Sequence, residues 1–334
     1  MKKWQKRLFL TGSISAMLGL GFLGLGYLNG GLDDIKTYSG DFVQQTETYD
    51  QVTDVDLTLF TRRMKIEESS DDKVHLSYYD NKNYLDQLNV RNNQGKLTLS
   101  EESNQSRVTG FLTAVGYFLN DKQSEKQTVV LSIPKGKRLT SLVGDVVLSE
   151  IQINNQVIDQ VDLVGSVNVQ SSQIFGGRIT SGETESMQLS FQNSQLNNLR
   201  LDLVESTVLF TNTNLAQSNI ILSGGDLTAN NLTLDKVTLT GSSTEIDISG
   251  LSLKEDVKLT NEDNSINLQL ASDSRNKLGL DLSVMGGTLK VAPDLMKGAN
   301  TQQGEDDFQQ VTKTLDDQTA LLTLNVTEGD VTLE

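Results

Sequence analysis

Seven segments of this sequence share one pattern and begin about 20 residues apart. In each segment the fourth and sixth positions are mostly apolar and the fifth is mostly polar, which is the alternation of a β-strand with one buried face. A unit of about 20 residues cannot bury its own apolar face, so successive units must stack. The pattern therefore predicts an all-β fold, a parallel β-helix or β-solenoid with rungs of about 20 residues. The segments are VGDVVLS from Val143, VGSVNVQ from Val164, TESMQLS from Thr184, VESTVLF from Val204, GGDLTAN from Gly224, STEIDIS from Ser243 and DNSINLQ from Asp263.

Strand-like alternation extends beyond these regular repeats, which cover residues 143–270. It returns in GGTLKV at 286–291 and in EGDVTL at 328–333. The polar stretch 293–319 between them is expected to form a loop or hairpin inserted into the solenoid. Residues 50–334 are therefore expected to form one β-solenoid domain.

One stretch, residues 108–119, has helical instead of strand periodicity. Its apolar residues recur with the spacing of one helix face, which predicts an amphipathic helix. Such a helix could cap the open end of the β core, or it could dock on a membrane or a partner. The side chains that would form the docking surface are Phe111, Leu112, Val115 and Phe118.

The N-terminus has the pattern of a membrane anchor. Four cationic residues lie within residues 1–7, and the uncharged stretch 8–28 would span roughly 31 Å as a helix, close to the thickness of a bilayer core. The positive-inside rule places residues 1–7 in the cytoplasm, residues 29–49 in an external linker and the β domain outside the cell membrane. A cleaved signal peptide is the alternative, but the apolar stretch is too long and has no A-x-A-like cleavage site.

The composition excludes several classes of site. The 334 residues include one His and no Cys. Without Cys the chain has no disulfide, iron–sulfur cluster or Cys-ligated zinc, and one His cannot supply a His-based metal site. We therefore expect neither a cofactor nor a bound metal.

The charge restricts the partners. There are 28 Lys+Arg and 44 Asp+Glu, which give a formal net charge of −16 and make nucleic acid a poor partner. Removing the four N-terminal positive charges from this total leaves −20 on residues 8–334. Such a surface is suited to cations, basic peptides or cationic proteins, although it also serves solubility.

The third position of the repeat carries the most promising acidic residues. If the segments stack in register, Asp226 and Glu245 lie about 5 Å apart on adjacent rungs, near the spacing of a retaining glycosidase pair. Because Ser occupies this column in most other rungs, turn chemistry is the favoured interpretation and a non-enzymatic protein is expected. The complete column is Asp145, Ser166, Ser186, Ser206, Asp226, Glu245 and Ser265.

The combination of anchor, strand-rich lead-in, IPKG at 133–136 and Gly-Asp-apolar-x-apolar units such as the one starting at Gly225 resembles the bacterial putative-adhesin family of unknown function. The resemblance covers about residues 50–334. It implies an envelope protein with β-strand repeats, of a kind found widely in Gram-positive bacteria, and no catalytic residues. One member is an anchored accessory protein encoded with a cell-envelope-stress sensor system.

These observations predict a single-pass membrane protein that displays a β-solenoid on the cell surface. It is expected to act as an adhesin-like or envelope-stress interaction scaffold for an envelope protein, a cationic peptide or a cell-wall component. The acidic candidates for that surface are Asp145, Asp226 and Glu245. The alternatives are an enzyme that acts on envelope polysaccharide through a carboxylate pair, and a passive stalk.

Overall fold

The computed structural model describes residues 42–81, 85–102, 123–181, 186–305 and 307–334, with isolated positions before residue 31. The predicted helix at 108–119 lies outside these ranges, and so does the predicted anchor at 8–28 apart from single positions. Among the residues that are described, no helix is long and apolar enough to cross a membrane.

The described part of the chain consists almost entirely of strands. The N-terminal elements are β1 (Val43–Tyr49), β2 (Asp54–Leu59), β3 (Arg63–Glu68), β4 (Val74–Asp80), β5 (Gln87–Asn93), β6 (Lys96–Glu102), α1 (Gln123–Lys126) and β7 (Thr128–Ile133). The central elements are β8 (Leu139–Asn154), β9 (Val157–Gln170), β10 (Gln173–Ile174), β11 (Gly177–Thr180), β12 (Gln188–Gln192), β13 (Gln195–Asn197), β14 (Leu199–Ala216), β15 (Asn219–Asp235), β16 (Thr238–Ser242), β17 (Glu245–Leu253), β18 (Val257–Glu262) and β19 (Ile266–Leu270). The C-terminal elements are β20 (Leu278–Met285), β21 (Leu289–Val291), β22 (Asn300–Gln303), β23 (Gln309–Lys313), β24 (Ala320–Thr327) and β25 (Val331–Leu333).

The chain divides into two compact units. In the first unit the Lys126 ammonium lies 4.5 Å from the centre of the Phe42 ring, a cation–π geometry. The second unit contains all the repeat segments. The first unit comprises residues 1–45, 78–87 and 102–127, and the second comprises residues 46–77, 88–101 and 128–334.

Within the second unit, β14 and β15 each make one complete turn of a solenoid. β14 runs along three faces, which we call face 1 (199–204), face 2 (206–211) and face 3 (213–216). β15 follows the same path in parallel, and each of its residues lies beside the β14 residue 19 positions earlier. This parallel stacking confirms the predicted β-solenoid and its period. Representative neighbours are Arg200 and Asn219 on face 1, Thr207 and Asp226 on face 2, and Asn214 and Thr233 on face 3.

The stacking order departs from the chain order at both ends of this unit. The first rung, β2 with β3, lies between β8 and the rung made by β6 and β7. The last rung, β24 with β25, lies between β18–β19 and the β20–β21 rung. Leu324, for example, has Leu259 on one side and Leu282 on the other. The stretch 293–319 contains the antiparallel hairpin β22–β23, which continues face 1 beyond β20.

The segments VESTVLF and TESMQLS stack in a register that differs from the prediction. In VESTVLF the buried residues are Val208 and Phe210, whereas the predicted Thr207 is exposed. The reason is that Glu205 forms the corner with φ 47°, so the segment starts one residue later. In TESMQLS the predicted Met187 and Leu189 are both buried, but the stacking is shifted by two residues, because Leu189 lies beside Val167 and Phe191 beside Val169. The Phe191 ring stacks on Phe210 with 5.1 Å between the ring centres.

Asp145 does not belong to the column of Asp226, so that part of the prediction is wrong. It lies exposed at the end of face 1, beside Thr58 and Val164. The register shifts between Val146 and Glu150, and it is Glu150 that lies beside Ser166. The Gly144–Asp145 pair therefore has the same sequence as the Gly225–Asp226 pair of a later rung, but it lies at a different place in its rung.

The corners of the solenoid are closed from the inside by buried hydroxyl groups. The Thr213 hydroxyl donates to the carbonyl oxygen of Thr211 in its own rung at 3.0 Å, or to that of Phe191 in the preceding rung at 2.9 Å. On the outside of the same corner, the amide of Asn231 donates to Asn212 at 2.9 Å, and Asn212 donates to Asn193 at 3.2 Å. These ladders connect successive rungs at the positions where the strands end.

A buried ion pair holds the corner between β2 and β3. The side chains of Arg62 and Glu101 are fully buried, and Arg62 Nε lies 3.1 Å from Glu101 Oε1. The Glu101 carboxylate also accepts the backbone N–H groups of Phe60 and Thr61, the latter at 2.7 Å, and it accepts the Thr61 hydroxyl at 3.0 Å. One carboxylate at the end of β6 therefore fixes the turn of the intercalated first rung.

Two adjacent glycines at one corner allow a matched test of rung closure. A Cβ on Gly225 would overlap the carbonyl oxygen of Ser206 in the preceding rung, whereas a Cβ on Gly224 would meet nothing nearer than 3.5 Å. Both residues have positive φ, so each Gly→Ala change costs about 1–2 kcal/mol in backbone strain. We expect Gly225→Ala to lower the free energy of unfolding by roughly 1–3 kcal/mol more than Gly224→Ala, as measured by urea denaturation. Equal losses would contradict the close approach of the two rungs.

The buried ion pair generates a second stability prediction. Replacing Glu101 with Gln leaves the Arg62 charge buried without its counter-ion, and we expect a loss of roughly 3–5 kcal/mol in the free energy of unfolding. The exposed neighbour Glu102 supplies the control, since Glu102→Gln should change stability by less than about 0.5 kcal/mol. Chemical denaturation measures the free energy of unfolding of both variants. An equal loss in the two variants would refute the structural role of the ion pair.

Candidate functional site

Asp226 and Glu245 are brought together by the fold. They lie directly opposite each other on β15 and β17, in parallel register, and both side chains are exposed. Neighbouring parallel strands are about 4.8 Å apart, so the two carboxylates belong to one surface. The other predicted surface residues do not join them: Asp145 lies on face 1, and Phe111, Leu112, Val115 and Phe118 lie outside the described residues.

Further exposed carboxylates lie along the same corner, between faces 1 and 2. The corrected register places them on successive rungs from β14 to β25, although the repeat column identified only two of them. The repeat column covers a single position of each rung, whereas the corner spans four residues of each rung. We call this set the acidic corner; its members are Glu205, Asp226, Glu245, Glu262, Asp263, Glu328 and Asp330.

The corner geometry directs these side chains outward. Glu205, Asp263 and Glu328 adopt positive φ values of 47°, 57° and 55° at equivalent turns. The polar side chains that hold the turns are buried beneath them. Asn261, for example, donates to the carbonyl oxygens of Thr244 and Asn264 at 2.8 and 3.0 Å. The carboxylates are therefore not needed to close the corner.

Cations do not neutralise the acidic corner. Among the described residues, none of its carboxylates lies within ion-pair distance of a Lys or Arg side chain, whereas on face 1 Arg178 pairs with Asp162 at 3.1 Å and Arg200 pairs with Asp202 at 2.7 Å. Asp330 accepts the hydroxyl and the backbone N–H of Thr288 at 2.7 and 2.9 Å, and these bonds hold the pKa of Asp330 below its ordinary value. The corner thus presents to solvent negative charge that no ion pair neutralises in the described part of the chain, although the charge of Lys290 also helps to lower the pKa of Asp330.

This arrangement favours electrostatic binding over catalysis. General acid catalysis by a carboxyl group needs surroundings that raise its pKa, and both Asp226 and Glu245 are exposed to water. In the described part of the chain, no three His, Asp or Glu side chains are grouped to hold a metal ion. What the corner can supply is attraction for a cationic partner that extends over several rungs.

A second polar group surrounds the single histidine. His75 Nδ1 lies 3.2 Å from Thr48 Oγ1, and His75 Nε2 lies 2.9 Å from Asp71 Oδ1. The Asp71 carboxylate accepts a hydrogen bond from the backbone N–H of Lys73 and is hydrogen-bonded to the His75 imidazole. Both hydrogen bonds hold the pKa of Asp71 below its ordinary value. The sequence pattern did not reveal this group, because only the pairing of β1 with β4 brings Thr48 near His75.

The order hydroxyl, imidazole and carboxylate is also that of a hydrolase triad. Here Thr48 and Asp71 are exposed, so the group stands in water instead of in the dry, preorganised surroundings that stabilise an oxyanion. Its evident role is to connect β1 to the turn before β4.

Three crystal structures of bacterial proteins are similar to this chain. A putative adhesin from Bacteroides fragilis is 11% identical, with a TM-score of 0.44 over 88% of this chain and 98% of that one. A putative adhesin from Parabacteroides merdae is 10% identical, with a TM-score of 0.29 over 88% and 97%. A putative cell adhesion protein from Clostridium sporogenes is 8% identical, with a TM-score of 0.20 over 88% and 99%. No curated protein matches the sequence.

The family assignment rests on a match to a family model. The model of the Toastrack DUF4097 family matches residues 52–334, which include every strand from β2 to β25. This range contains the regular rungs and both intercalated rungs, and it confirms the resemblance that the repeat pattern indicated. The chain therefore belongs to the Toastrack DUF4097 family.

Proposed function

We propose that this protein is a membrane-anchored, non-enzymatic binding scaffold of the cell surface, and that its acidic corner binds a cationic peptide or protein of the envelope. The cationic residues 1–7 followed by the uncharged stretch 8–28 support the anchor. Membership of the Toastrack family supports an adhesin-like scaffold. A role in the response to envelope stress is consistent with such a partner.

The observation that carries this proposal is the run of uncompensated carboxylates on consecutive rungs. A rigid parallel sheet repeats its side chains at about 4.8 Å, so an extended basic peptide can meet several carboxylates at once. Individual exposed ion pairs contribute only about 0.2–1 kcal/mol. Several such pairs on one preorganised corner are therefore required for useful affinity, and seven carboxylates are present.

A second candidate function follows from the register of Asp226 and Glu245. A polysaccharide hydrolase would use one as the acid and the other as the nucleophile. Incubating the full chain with cell-wall polysaccharide and assaying reducing ends tests this function. Hydrolysis that is lost in Asp226→Asn and in Glu245→Gln would favour the enzyme over the scaffold.

Neutralising part of the acidic corner should weaken the binding of a cationic probe. We expect the triple variant Asp226→Asn, Glu245→Gln and Asp263→Asn to raise the Kd of an oligolysine peptide about tenfold at low ionic strength, because each carboxylate contributes about 0.5 kcal/mol. Fluorescence anisotropy with the full chain in detergent measures this change. The difference should shrink as salt is added.

The matched control removes the same number of charges elsewhere on the second unit. Glu305→Gln, Asp307→Asn and Asp316→Asn change exposed carboxylates of the C-terminal insert, and this variant should alter the Kd by less than about twofold. If both triple variants weaken binding equally, net charge alone attracts the peptide and the corner is not a site. If neither does, the passive stalk is the better description.

The anchor can be tested on cells that carry the full chain. Protease added to intact protoplasts should degrade residues 50–334, while an epitope tag at the N-terminus stays protected until the membrane is lysed. An immunoblot for the tag and for the β domain reads both outcomes. Protection of the β domain in intact protoplasts would overturn the proposed surface location.

A further inference from the structure

The solenoid has an open strand edge at its C-terminal end. β21 pairs on one side with β25, where Val331 N–H donates to Thr288 O and Ala292 N–H donates to Leu333 O, both at 2.8 Å. In a parallel pair, alternate residues direct their peptide groups to the same neighbour. Leu289 and Val291 therefore direct theirs to the other side, where no described strand is in register with β21.

A glutamine side chain already occupies the first position of that missing strand. The Gln309 side-chain oxygen accepts the Leu289 N–H at 3.2 Å, and its side-chain nitrogen donates to Gly287 O at 2.9 Å. One amide thus makes the two hydrogen bonds that the N–H and C=O groups of one residue in a neighbouring parallel strand would make. The next positions along the edge, Leu289 O and the N–H of Val291, lack such a bond among the described residues.

An open pocket of about 580 Å³ begins where the Gln309 amide ends. It lies between the open edge of β21 and the β22–β23 hairpin, and Leu289, Val291 and Val311 form its apolar side. Gln302 and Gln310 belong to its polar lining. All nine lining residues are uncharged, in contrast to the acidic corner.

We propose that this pocket binds an uncharged, extended peptide segment of a partner protein, which adds as a strand to the open edge of β21. The backbone of the segment continues the hydrogen bonds that the Gln309 amide begins. Apolar side chains on one face of the segment contact Leu289 and Val311, and hydroxyl or amide side chains on the other face meet the glutamines. A charged side chain would lose its hydration here without gaining a counter-ion, so the chemistry of the pocket selects a neutral strand.

A blocked peptide of alternating Thr and Val, labelled with fluorescein, provides the probe, and fluorescence anisotropy with the full chain in detergent provides the readout. Strand addition uses the N–H groups of alternate residues only. We expect N-methylation of one alternate set to weaken binding by about tenfold or more, and N-methylation of the other set to leave it unchanged within about twofold. Equal binding of both methylated peptides, or no binding of the unmodified peptide, would overturn the proposal.

A matched pair of variants locates the site. Val291→Pro removes an N–H that faces the open edge, a position where an edge strand tolerates proline, and it should abolish peptide binding. Lys290→Ala is the control, because the Lys290 peptide group faces β25 and its side chain is exposed. Thermal unfolding of Val291→Pro checks that the fold survives, and the N-methylated peptides test the proposal independently of that variant.

Two further outcomes separate this site from its alternatives. Val291→Pro should leave oligolysine binding at the acidic corner unchanged, so a failure of one proposal does not count against the other. If sedimentation shows that the full chain dimerises and that Val291→Pro removes the dimer, a second copy of the chain occupies the edge. That result would overturn binding of a partner protein.

Discussion

Closing each rung at its corners is the requirement on which the rest of this structure depends. The chain must turn three times per rung without leaving backbone groups unbonded inside. A residue with positive φ makes the turn, and a buried hydroxyl such as that of Thr213 bonds a carbonyl oxygen of its own rung or of the preceding one. Because one of these carbonyl groups belongs to the neighbouring rung, closing a rung and stacking it are coupled, and the corner therefore sets the register of all three faces.

The two intercalated rungs change what the ends of the solenoid can do. In a simple solenoid each rung contacts only its neighbours in sequence, so the ends can open one rung at a time. Here β2 pairs with β8 across 87 residues and β24 pairs with β18 across 65 residues. Removing either terminal segment would leave a gap between two formed rungs and expose two strand edges instead of one. Long-range pairing of this kind slows folding, but it ties the outer rungs to the body of the unit.

The sequence predicted the parts of this fold that depend on side-chain alternation. The all-β class, the period near 20 and the parallel stacking all follow from apolar residues at every second position. The exact register did not follow, because TVLF alternates equally well in either phase and only the φ of Glu205 decides between Thr207 and Val208. The order of the end rungs was not predictable either, since alternation carries no information about which strand lies beside which.

The same distinction applies to the candidate sites. Asp226 and Glu245 were found because both of their segments were aligned correctly, whereas Asp145 was misplaced by the register shift that follows Val146. Glu262 and Asp263 lie on the same corner, but neither is at the third position of a repeat segment, and the repeat pattern therefore did not identify them. The contact of Thr48 with His75 and that of Gln309 with Leu289 join residues more than 15 positions apart, and no local pattern encodes them.

The acidic corner and the open edge of β21 differ in the physics that would hold a ligand. Attraction at an exposed corner is screened by salt, and at physiological ionic strength the Debye length is only about 8 Å. Backbone hydrogen bonds to Leu289 and Val291 are directional and depend little on salt, since the pocket beside them is uncharged. A basic ligand would therefore reach the corner quickly and leave it easily, whereas a neutral strand would bind more slowly and remain longer. A scaffold with both proposed sites would distinguish partners by charge at one position and by backbone geometry at the other, without any change in its own fold.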